Sequence, residues 1–231
     1  MFNNNKLLGQ HFLIDKNIIN KIITVVNLKY QNIIEIGGGT GHLSEYIKLY
    51  NPASFLIIEL DPICVNILRQ KQFNVLEIDC LQYQYNTDII IGNLPYYISK
   101  DIILSIIMKG IYKHIIIMVQ KEVGNQLMGN TNFGTFIKIF HNISKVCDVS
   151  PKCFNPKPKV ESMVIHIEKI NSLINATYNM KSIWNKINVL YNNKNQKLRN
   201  KLKLLNIKCD DSILDKRIGD IDLDMIKSWV I

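Results

Sequence analysis

A glycine-rich segment at positions 35–41 contains the first residues whose types and spacing suit the binding of a small ligand. Gly37, Gly39 and Gly41 alternate where a β-branched run is followed by a segment of helical length. Glycines at such a turn let the backbone pass close to a ligand and direct helix N-terminal amides toward it. A dinucleotide fingerprint requires glycine at position 42, which is His42 here. The turn therefore favours S-adenosylmethionine over a nicotinamide dinucleotide, with Gly37 and Gly39 as cofactor-binding residues.

Two carboxylates follow the next two predicted strands. Glu59 lies 22 positions after Gly37, close to the spacing of about 20 expected for a carboxylate that accepts ribose hydroxyls. Asp79 ends the third predicted strand, where its carboxylate can accept a hydrogen bond from the adenine amino group of the cofactor. For each acid, a strand-end or helix-capping role is the structural alternative. Asp61, directly before Pro62, is interpreted as a helix N-cap.

The fourth predicted strand ends in Asn93-Leu94-Pro95-Tyr96, which resembles the Asn/Asp-x-Pro-Tyr signature of methyltransferases that modify an exocyclic amine of a base. The Asn93 side-chain oxygen and the Leu94 carbonyl can accept the two N–H groups of an adenine amine, which frees the nitrogen lone pair for the methyl carbon. Pro95 restricts the turn that directs these acceptors, and Tyr96 stacks on a base that has left its helix. We expect these four residues to be catalytic, with Asn93 also in contact with the cofactor.

The elements that position these motifs alternate between strands and helices. Short β-branched runs predict strands at 33–36, 55–58, 75–78, 89–91 and 115–119, and helical segments are predicted at 40–50, 62–72 and 98–109. This alternation predicts an α/β fold with a parallel, doubly wound sheet. A helix running into a strand over 133–149, and a strand at 162–167 after a proline-rich loop, are expected to complete the first domain, residues 1–170.

Residues 171–231 are expected to form a second, small, all-α domain. They contain eleven basic and six acidic residues, with the densest basic run at 194–203. In this run Leu198, Leu202 and Leu205 recur at helical spacing, which predicts a helix with its cations on the opposite side. A solvated helix face is the simpler interpretation of the run, and RNA contact is the functional one.

The composition excludes several classes of protein. The chain has 231 residues, of which 47% are hydrophobic and 20% charged, as in ordinary globular proteins. Its net charge of +9 favours a polyanionic partner. Apolar runs are shorter than the ~18 residues of a membrane span, and the N-terminus lacks the pattern of a signal or transit peptide. The histidines and cysteines lack metal-ligand spacing. We expect a cytoplasmic protein without metal or membrane partner.

The whole chain resembles the KsgA family of small-subunit ribosomal RNA adenine N6,N6-dimethyltransferases, which is related to the Erm methyltransferases. Gly9-Gln10-His11-Phe12-Leu13 is similar to the opening Gly-Gln-Asn-Phe-Leu of that family, whose third and fifth residues line the cofactor site. The resemblance thus implies that His11 and Leu13 bind the cofactor. Residues 120–124 resemble the family segment after the fifth strand. Residues 154–162 match the loop Phe-x-Pro-x-Pro-Lys-Val-x-Ser, and its phenylalanine, Phe154, is implied to cover the other face of the target base.

The resemblance implies a Rossmann-like, S-adenosylmethionine-dependent methyltransferase sheet of seven strands with a small all-α C-terminal domain. It also implies two methyl transfers to each of two adjacent adenosines near the 3′ end of small-subunit (16S-type) rRNA, linked to ribosome biogenesis. The implied partner is that rRNA or the immature small ribosomal subunit, bound by a monomer. The alternatives are an Erm-type enzyme of large-subunit rRNA and an assembly factor that mainly binds immature small subunits. A DNA adenine methyltransferase is disfavoured because the chain lacks a target-recognition domain.

The chain departs from the family pattern at several positions. His11 and Tyr97 stand where asparagine is usual, and Gly38 replaces a common proline. In the basic run, residues 194–196 read Lys-Asn-Gln where the family has Arg-Arg-Lys. Because arginine makes forked phosphate contacts, we expect fewer of these contacts here.

Overall fold

The computed structural model describes residues 11–170 and 178–231. Its strands, in chain order, are β1 (Phe12–Leu13), β2 (Asn32–Ile36), β3 (Ser54–Glu59), β4 (Val75–Glu77), β5 (Ile89–Asn93), β6 (His114–Gln120), β7 (His141–Val149), β8 (Phe154–Asn155) and β9 (Ser162–Lys169). Its α-helices are α1 (Lys16–Ile23), α2 (His42–Lys48), α3 (Pro62–Gln70), α4 (Ser99–Lys109), α5 (Lys121–Met128), α6 (Asn132–Lys138), α7 (Met180–Tyr191), α8 (Leu198–Leu204), α9 (Asp211–Leu214) and α10 (Leu223–Val230).

Within the described residues, seven strands form one sheet in the order β4-β3-β2-β5-β6-β9-β7. Five neighbouring strands, β4, β3, β2, β5 and β6, are parallel to one another, and β9 pairs with β6 antiparallel. The strands predicted from β-branched runs are present, with ends shifted by one or two residues, and the predicted parallel alternation is confirmed. The short strands β1 and β8, which form a separate antiparallel pair, carry no sequence pattern that predicts them.

Apolar β-branched side chains hold the middle of this sheet together. Ile90 of β5 and Ile115 of β6 are paired in register, and both are fully buried. Burial of one such side chain contributes about 1.5 to 3 kcal/mol. Helix α3 begins where the sequence predicted it, because the Asp61 carboxylate accepts the Ile63 amide at 2.9 Å and Pro62 occupies the first turn. The N-cap interpretation of Asp61 is therefore confirmed.

The order of the strands brings the glycine turn next to the Asn93 segment. From β2 the chain proceeds through β3 to the sheet edge at β4, and β5 then pairs with the other side of β2. In open α/β sheets, ligands bind in the crevice at the carboxyl ends of the strands where the direction of winding reverses. Gly37 follows β2, and a Cβ on it would lie 3.6 Å from the backbone oxygen of Asn93. The reversal between β2 and β5 thus makes both motifs part of one crevice.

The described chain separates into two compact units. The first contains the described residues up to Gly124 together with Ile143–Glu168, and includes most of the sheet. The second contains Asn125–Asn142 and the described residues from Lys169 to Ile231. The functional division of the chain into a methyltransferase domain of residues 1–170 and an RNA-contacting domain of residues 171–231 stays a prediction.

The second unit has its own core of aromatic side chains and buried hydroxyl groups. The rings of Phe136 and Trp184 lie 5.1 Å apart, as centroids. The hydroxyl groups of Thr135 and Tyr191 are 2.6 Å apart and share a hydrogen bond, so that neither polar group is buried without a partner. Trp184 therefore stabilises a small core in this unit.

The basic run differs from its sequence prediction at one lysine. Helix α8 begins only at Leu198, and Leu198 and Leu202 are buried as expected. Lys201, however, is only 4% exposed, and its ammonium group donates to the carbonyls of Leu190 and Asn193 at 2.8 and 3.0 Å. Burial lowers the pKa of Lys201. The expectation that all cations of this run face solvent is therefore wrong for Lys201, which caps the C-terminal end of α7.

Candidate cofactor and substrate site

A cleft opens in the first unit at the carboxyl ends of β2, β3 and β5. It encloses about 780 Å³ including its solvent-filled mouth, within the ~300 to 1,000 Å³ of typical small-molecule sites. Most of the predicted site residues line it, namely His11, Gly37, Gly39, Glu59, Asp79, Asn93, Leu94, Pro95 and Tyr96. Two do not, Leu13 and Phe154. Gly9 and Gln10 of the opening motif lie outside the described residues.

The glycine turn has a backbone conformation and a packing that require glycine. Gly37 and Gly39 have φ angles of +71° and +54°, a region that side-chain-bearing residues rarely adopt. A Cβ on Gly39 would lie 2.8 Å from the Phe12 ring. Glycine is therefore required at this turn, and Gly37 and Gly39 contribute only backbone to the lining of the cleft.

Glu59 is held beside the glycine turn by backbone amides. Its Oε2 accepts the Gly39 amide at 2.9 Å, and its Oε1 accepts the amides of Leu60 and Asp61 at 2.8 and 2.9 Å. Burial raises the pKa of Glu59, while these amides oppose that shift. A carboxylate has about four acceptor positions, so about one position remains for a hydroxyl group of a ligand.

Glu35 is a further acidic residue of this region, at the carboxyl end of β2. It is 1% exposed, and its Oε2 has no hydrogen-bond partner among the described residues. Burial raises the pKa of Glu35 to about 8; the Ser44 hydroxyl opposes this shift and the nearby charge of Glu59 adds to it, so the carboxyl group is mostly protonated at neutral pH. No role is predicted for Glu35 from the sequence, although a charged residue within an apolar strand is a signal that can be read there.

Asp79 lies on the wall of the cleft beyond β4. Its Oδ1 accepts the Leu81 amide at 2.9 Å, and no described residue hydrogen-bonds to its Oδ2. The first bond fixes the direction of the carboxylate. The second oxygen remains available to a donor on a ligand, which agrees with the contact to an amino group predicted from the sequence.

The side chain of Asn93 has an orientation set by the N-terminal segment. Its Nδ2 donates to the backbone carbonyl of His11 at 2.7 Å. Because a carbonyl oxygen accepts hydrogen bonds and cannot donate them, the amide nitrogen must face His11. The Asn93 Oδ1 therefore faces away from that bond as an acceptor. This is the atom that the sequence analysis assigned to the target amine.

A tight turn from Pro95 to Ile98 presents two tyrosines. The Ile98 amide donates to the Pro95 carbonyl at 3.3 Å, so Tyr96 and Tyr97 occupy the two central positions. The Tyr96 hydroxyl and the Ser162 Oγ are 2.6 Å apart and share a hydrogen bond, which fixes the ring of Tyr96. Burial raises the pKa of Tyr96, so its hydroxyl is neutral and serves as an anchor.

The imidazole of His11 covers part of Tyr96. The two ring centroids are 5.6 Å apart with an interplanar angle of 29°. The Nδ1 of His11 lies 2.9 Å from the Pro156 carbonyl. Since that carbonyl can only accept, Nδ1 carries the hydrogen, which assigns the Nδ1–H tautomer to the neutral ring. Both contacts join the N-terminal segment to residues that lie far away in the chain.

Leu13 and Phe154 belong to the core beneath the cleft. They are paired across β1 and β8 and are 4% and 1% exposed, respectively. Phe154 is therefore buried and does not line the cleft in this arrangement, and its implied role as a cover of the target base stays a prediction. The structure instead places Ser162 and the His11 ring against Tyr96. Sequence reasoning missed both contacts because they join residues distant in the chain.

The described residues contain neither a cluster of metal ligands nor a membrane-spanning helix. No group of three or more His, Cys, Asp or Glu side chains in the ranges 11–170 and 178–231 is arranged to hold a metal ion. In the same ranges, no helix has the length and the apolar character needed to cross a membrane.

Comparisons with known proteins agree with the chemistry of this cleft. Residues 1–223 match the family model described as ribosomal RNA adenine dimethylase. A ribosomal RNA small subunit methyltransferase A from Sulfurihydrogenibium sp. is 35% identical, over 86% of this chain and 84% of that protein. The protein of the same name from Mycoplasma mobile is 32% identical, over 96% of this chain and 95% of its own length.

Two solved structures share the fold of the chain. A dimethyladenosine transferase from Plasmodium falciparum superposes with a TM-score of 0.84 at 22% identity, and covers 95% of this chain and 96% of its own. The 23S rRNA methyltransferase ErmE superposes with a TM-score of 0.73 at 16% identity, and covers 95% and 99%. The Rossmann-like methyltransferase fold predicted from the sequence is thus confirmed. Because one family model spans nearly the whole chain and relatives above 30% identity cover most of it, this chain belongs to the ribosomal RNA adenine dimethylase family.

Proposed function

We propose that this chain transfers methyl groups from S-adenosylmethionine to the N6 amines of two adjacent adenosines near the 3′ end of small-subunit rRNA, two to each. The observation that carries the proposal is the orientation of Asn93, whose Nδ2 is bound to the His11 carbonyl while Oδ1 is left as an acceptor beside Pro95. Family membership and the names of the relatives support the choice of rRNA.

The cleft has the chemistry that S-adenosylmethionine requires. Its glycine turn admits a ligand against the backbone, and Glu59 and Asp79 retain acceptor positions for ribose hydroxyls and for an adenine amino group. Their negative charge also suits a ligand that carries a sulfonium and an ammonium group. When bound, this cofactor supplies an electrophilic methyl group. His11 and Asn93 line the cleft on the side of Tyr96, where the target base is proposed to bind.

The residues of the Asn93 turn activate the target amine by hydrogen bonding. An adenine amine is a poor nucleophile because its lone pair is delocalised into the ring. Asn93 Oδ1 and the Leu94 carbonyl accept its two N–H groups, which favours a tetrahedral nitrogen with a localised lone pair. Leu94 is held in place, since its amide donates to the Met118 carbonyl at 3.1 Å. No strong base is required, since the proton can leave after the transfer.

Tyr96 supplies the surface on which the extruded adenine stacks. One side of its ring is in contact with the His11 imidazole, so the base is expected on the other side. Removal of a base from its helix costs a few kcal/mol, which stacking on an aromatic ring offsets in part. The side chain of Phe154 is buried in the present arrangement. It can cover the other face of the target adenine only if the β1–β8 pair moves.

The proposed partner is the immature small ribosomal subunit, bound by a monomer in the cytoplasm. The net charge of +9 supports a polyanionic partner. In the second unit, Lys197, Arg199 and Lys203 of the basic run are exposed, whereas the buried Lys201 is not available to RNA.

Methylation of isolated ribosomal subunits tests this proposal against the Erm-type alternative. Unmethylated small and large subunits are incubated separately with the full chain and labelled S-adenosylmethionine, and nuclease digests of the rRNA are analysed by mass spectrometry. We expect N6,N6-dimethyladenosine at two adjacent positions of the small-subunit rRNA. Label confined to large-subunit rRNA would support the alternative, and absence of label from both would refute methyl transfer to rRNA.

A further inference from the structure

Tyr97 stands out as an aromatic side chain on the rim of the cleft. Its ring lines the cleft beside Tyr96 and Pro95 but is 59% exposed. Within the described part of the chain it makes no hydrogen bond and no ring contact. The ring is therefore accessible from outside the chain, and its position on the rim of the cleft is one at which a nucleobase can stack on it.

The turn fixes Tyr97 relative to the residue that holds the target base. Tyr96 and Tyr97 are the central residues of the turn closed by the 3.3 Å bond between the Ile98 amide and the Pro95 carbonyl. The turn is further held by the bond of the Tyr96 hydroxyl to Ser162, and Ser99 Oγ donates to the Tyr96 carbonyl at 3.2 Å. A base that stacks on Tyr96 and a group that contacts Tyr97 are thus neighbours.

The distribution of charge shows from which end a nucleic acid strand can approach. Glu59 and Asp79 lie at the cofactor end of the cleft, where they repel phosphates. The wall from Asn93 to Ile98 has no charged side chain, and the two exposed charges that follow it, Lys100 and Asp101, are opposite in sign. The RNA strand should therefore pass over the rim that Tyr97 forms.

We propose that Tyr97 is a stacking platform for the nucleobase adjacent to the adenosine held by Tyr96. This inference rests on the proposed function and adds a substrate-positioning residue to it. An aromatic ring accepts any base, because every base has a π-face. With two adjacent adenosines as targets, the platform holds one adenosine while its neighbour is in the site.

Steady-state kinetics with unmethylated small ribosomal subunits test the role of Tyr97. For Tyr97→Ala, we expect the KM for subunits to rise roughly 5- to 150-fold, the range that corresponds to loss of one base stack, with a smaller change in kcat. The Kd for S-adenosylmethionine, measured by calorimetry, should match that of the unmodified chain. Tyr97→Phe, which keeps the ring, should restore the KM.

A matched control is available at Tyr30, which is 71% exposed and does not line the cleft. Tyr30→Ala should leave the KM unchanged. A KM for Tyr97→Ala within twofold of the unmodified chain would overturn the inference, as would equal losses for Tyr97→Phe and Tyr97→Ala. An unmodified chain that methylates no subunits would instead refute the proposed function, so the two failures are distinguishable.

Discussion

The proposed activation of the target amine depends on the orientation of a single amide, that of Asn93. The Asn93 Nδ2 is satisfied by a backbone carbonyl 82 residues earlier in the chain, at His11. A reversed amide would bring two acceptor oxygens together, which costs free energy in a half-buried site. The acceptor is therefore in place before substrate binds, and preorganised acceptors need no reorganisation during the reaction.

Asn93→Ala should separate methyl transfer from cofactor binding. Removal of one preorganised hydrogen-bonding group typically lowers kcat by roughly 100- to 1,000-fold, and we expect at least that loss in single-turnover methylation. The Kd for S-adenosylmethionine, measured by calorimetry, should change far less than kcat, because Asn93 is one of several residues proposed to contact the cofactor. Asn66→Ala, on the exposed surface of α3, is the control. Turnover by Asn93→Ala comparable to that of the control would refute the assigned role.

Glu35 should make the stability of the fold depend on pH. Its pKa is raised by burial from 4.5 to about 8, so its contribution to stability is complete below about pH 4.5 and is lost as the pH rises through 8. The slope in between is roughly 1.4 kcal/mol per pH unit at most. Urea unfolding at pH 6 and pH 9 should show a loss of a few kcal/mol for the unmodified chain.

Glu35→Gln is the matched variant for this measurement, since it keeps the shape of the side chain and cannot ionise. It should lose markedly less stability between the two pH values. Parallel losses in both proteins would mean that other groups, such as Glu59, whose pKa burial also raises, dominate the pH dependence.

At the level of elements, the connection from β2 to α2 depends on backbone that only glycine adopts easily. Gly39 combines a φ of +54° with a neighbouring ring 2.8 Å from the position of a Cβ. Gly39→Ala should therefore destabilise the turn by about 1 to 2 kcal/mol and weaken cofactor binding about tenfold or more. Gly219→Ala, where a Cβ would meet nothing within 4 Å, should change neither quantity. Thermal unfolding of both variants measures the change in stability, and calorimetry measures the change in cofactor affinity.

The pairing of β1 with β8 gives Phe154 a structural role that can be separated from base stacking. Phe154 is 1% exposed and packs in the core with Leu13. Phe154→Ala should cost about 3 to 5 kcal/mol of stability, whereas Phe154→Leu should cost much less. If Phe154→Leu is stable yet loses most of its kcat/KM for ribosomal subunits, Phe154 also stacks on the base. Retained kcat/KM would limit Phe154 to the core.

For the whole molecule, the excess of positive charge predicts salt-dependent binding of rRNA. Each neutralised phosphate contributes to the slope of log K against log salt, so affinity for small subunits should fall at least about tenfold between 50 and 200 mM salt. Lys203→Ala, on the exposed side of α8, should reduce the slope by roughly one. Lys16→Ala in α1 is the control. Equal slopes for the unmodified chain and Lys203→Ala would exclude Lys203 from the RNA interface.

Local patterns in the sequence determined much of this protein. β-Branched runs predicted the strands of the sheet, since a buried strand must be apolar on both faces. The glycine turn, Glu59, Asp79 and Asn93 line one cleft, because parallel strands bring their carboxyl ends to the same edge. The motifs alone also indicated the family, since each depends on residues adjacent in sequence.

Contacts between distant segments were decided only by the tertiary structure. The strands β1 and β8 have two residues each, too few for a periodic pattern, and their pairing buries Phe154. Lys201 was expected to face solvent, yet its ammonium group satisfies carbonyls at the end of another helix. Asn93 gains its orientation from His11, which local pattern cannot show. Hydrogen bonds and burial depend on which residues are neighbours in the folded chain, and the spacing of residues along the sequence does not specify those neighbours.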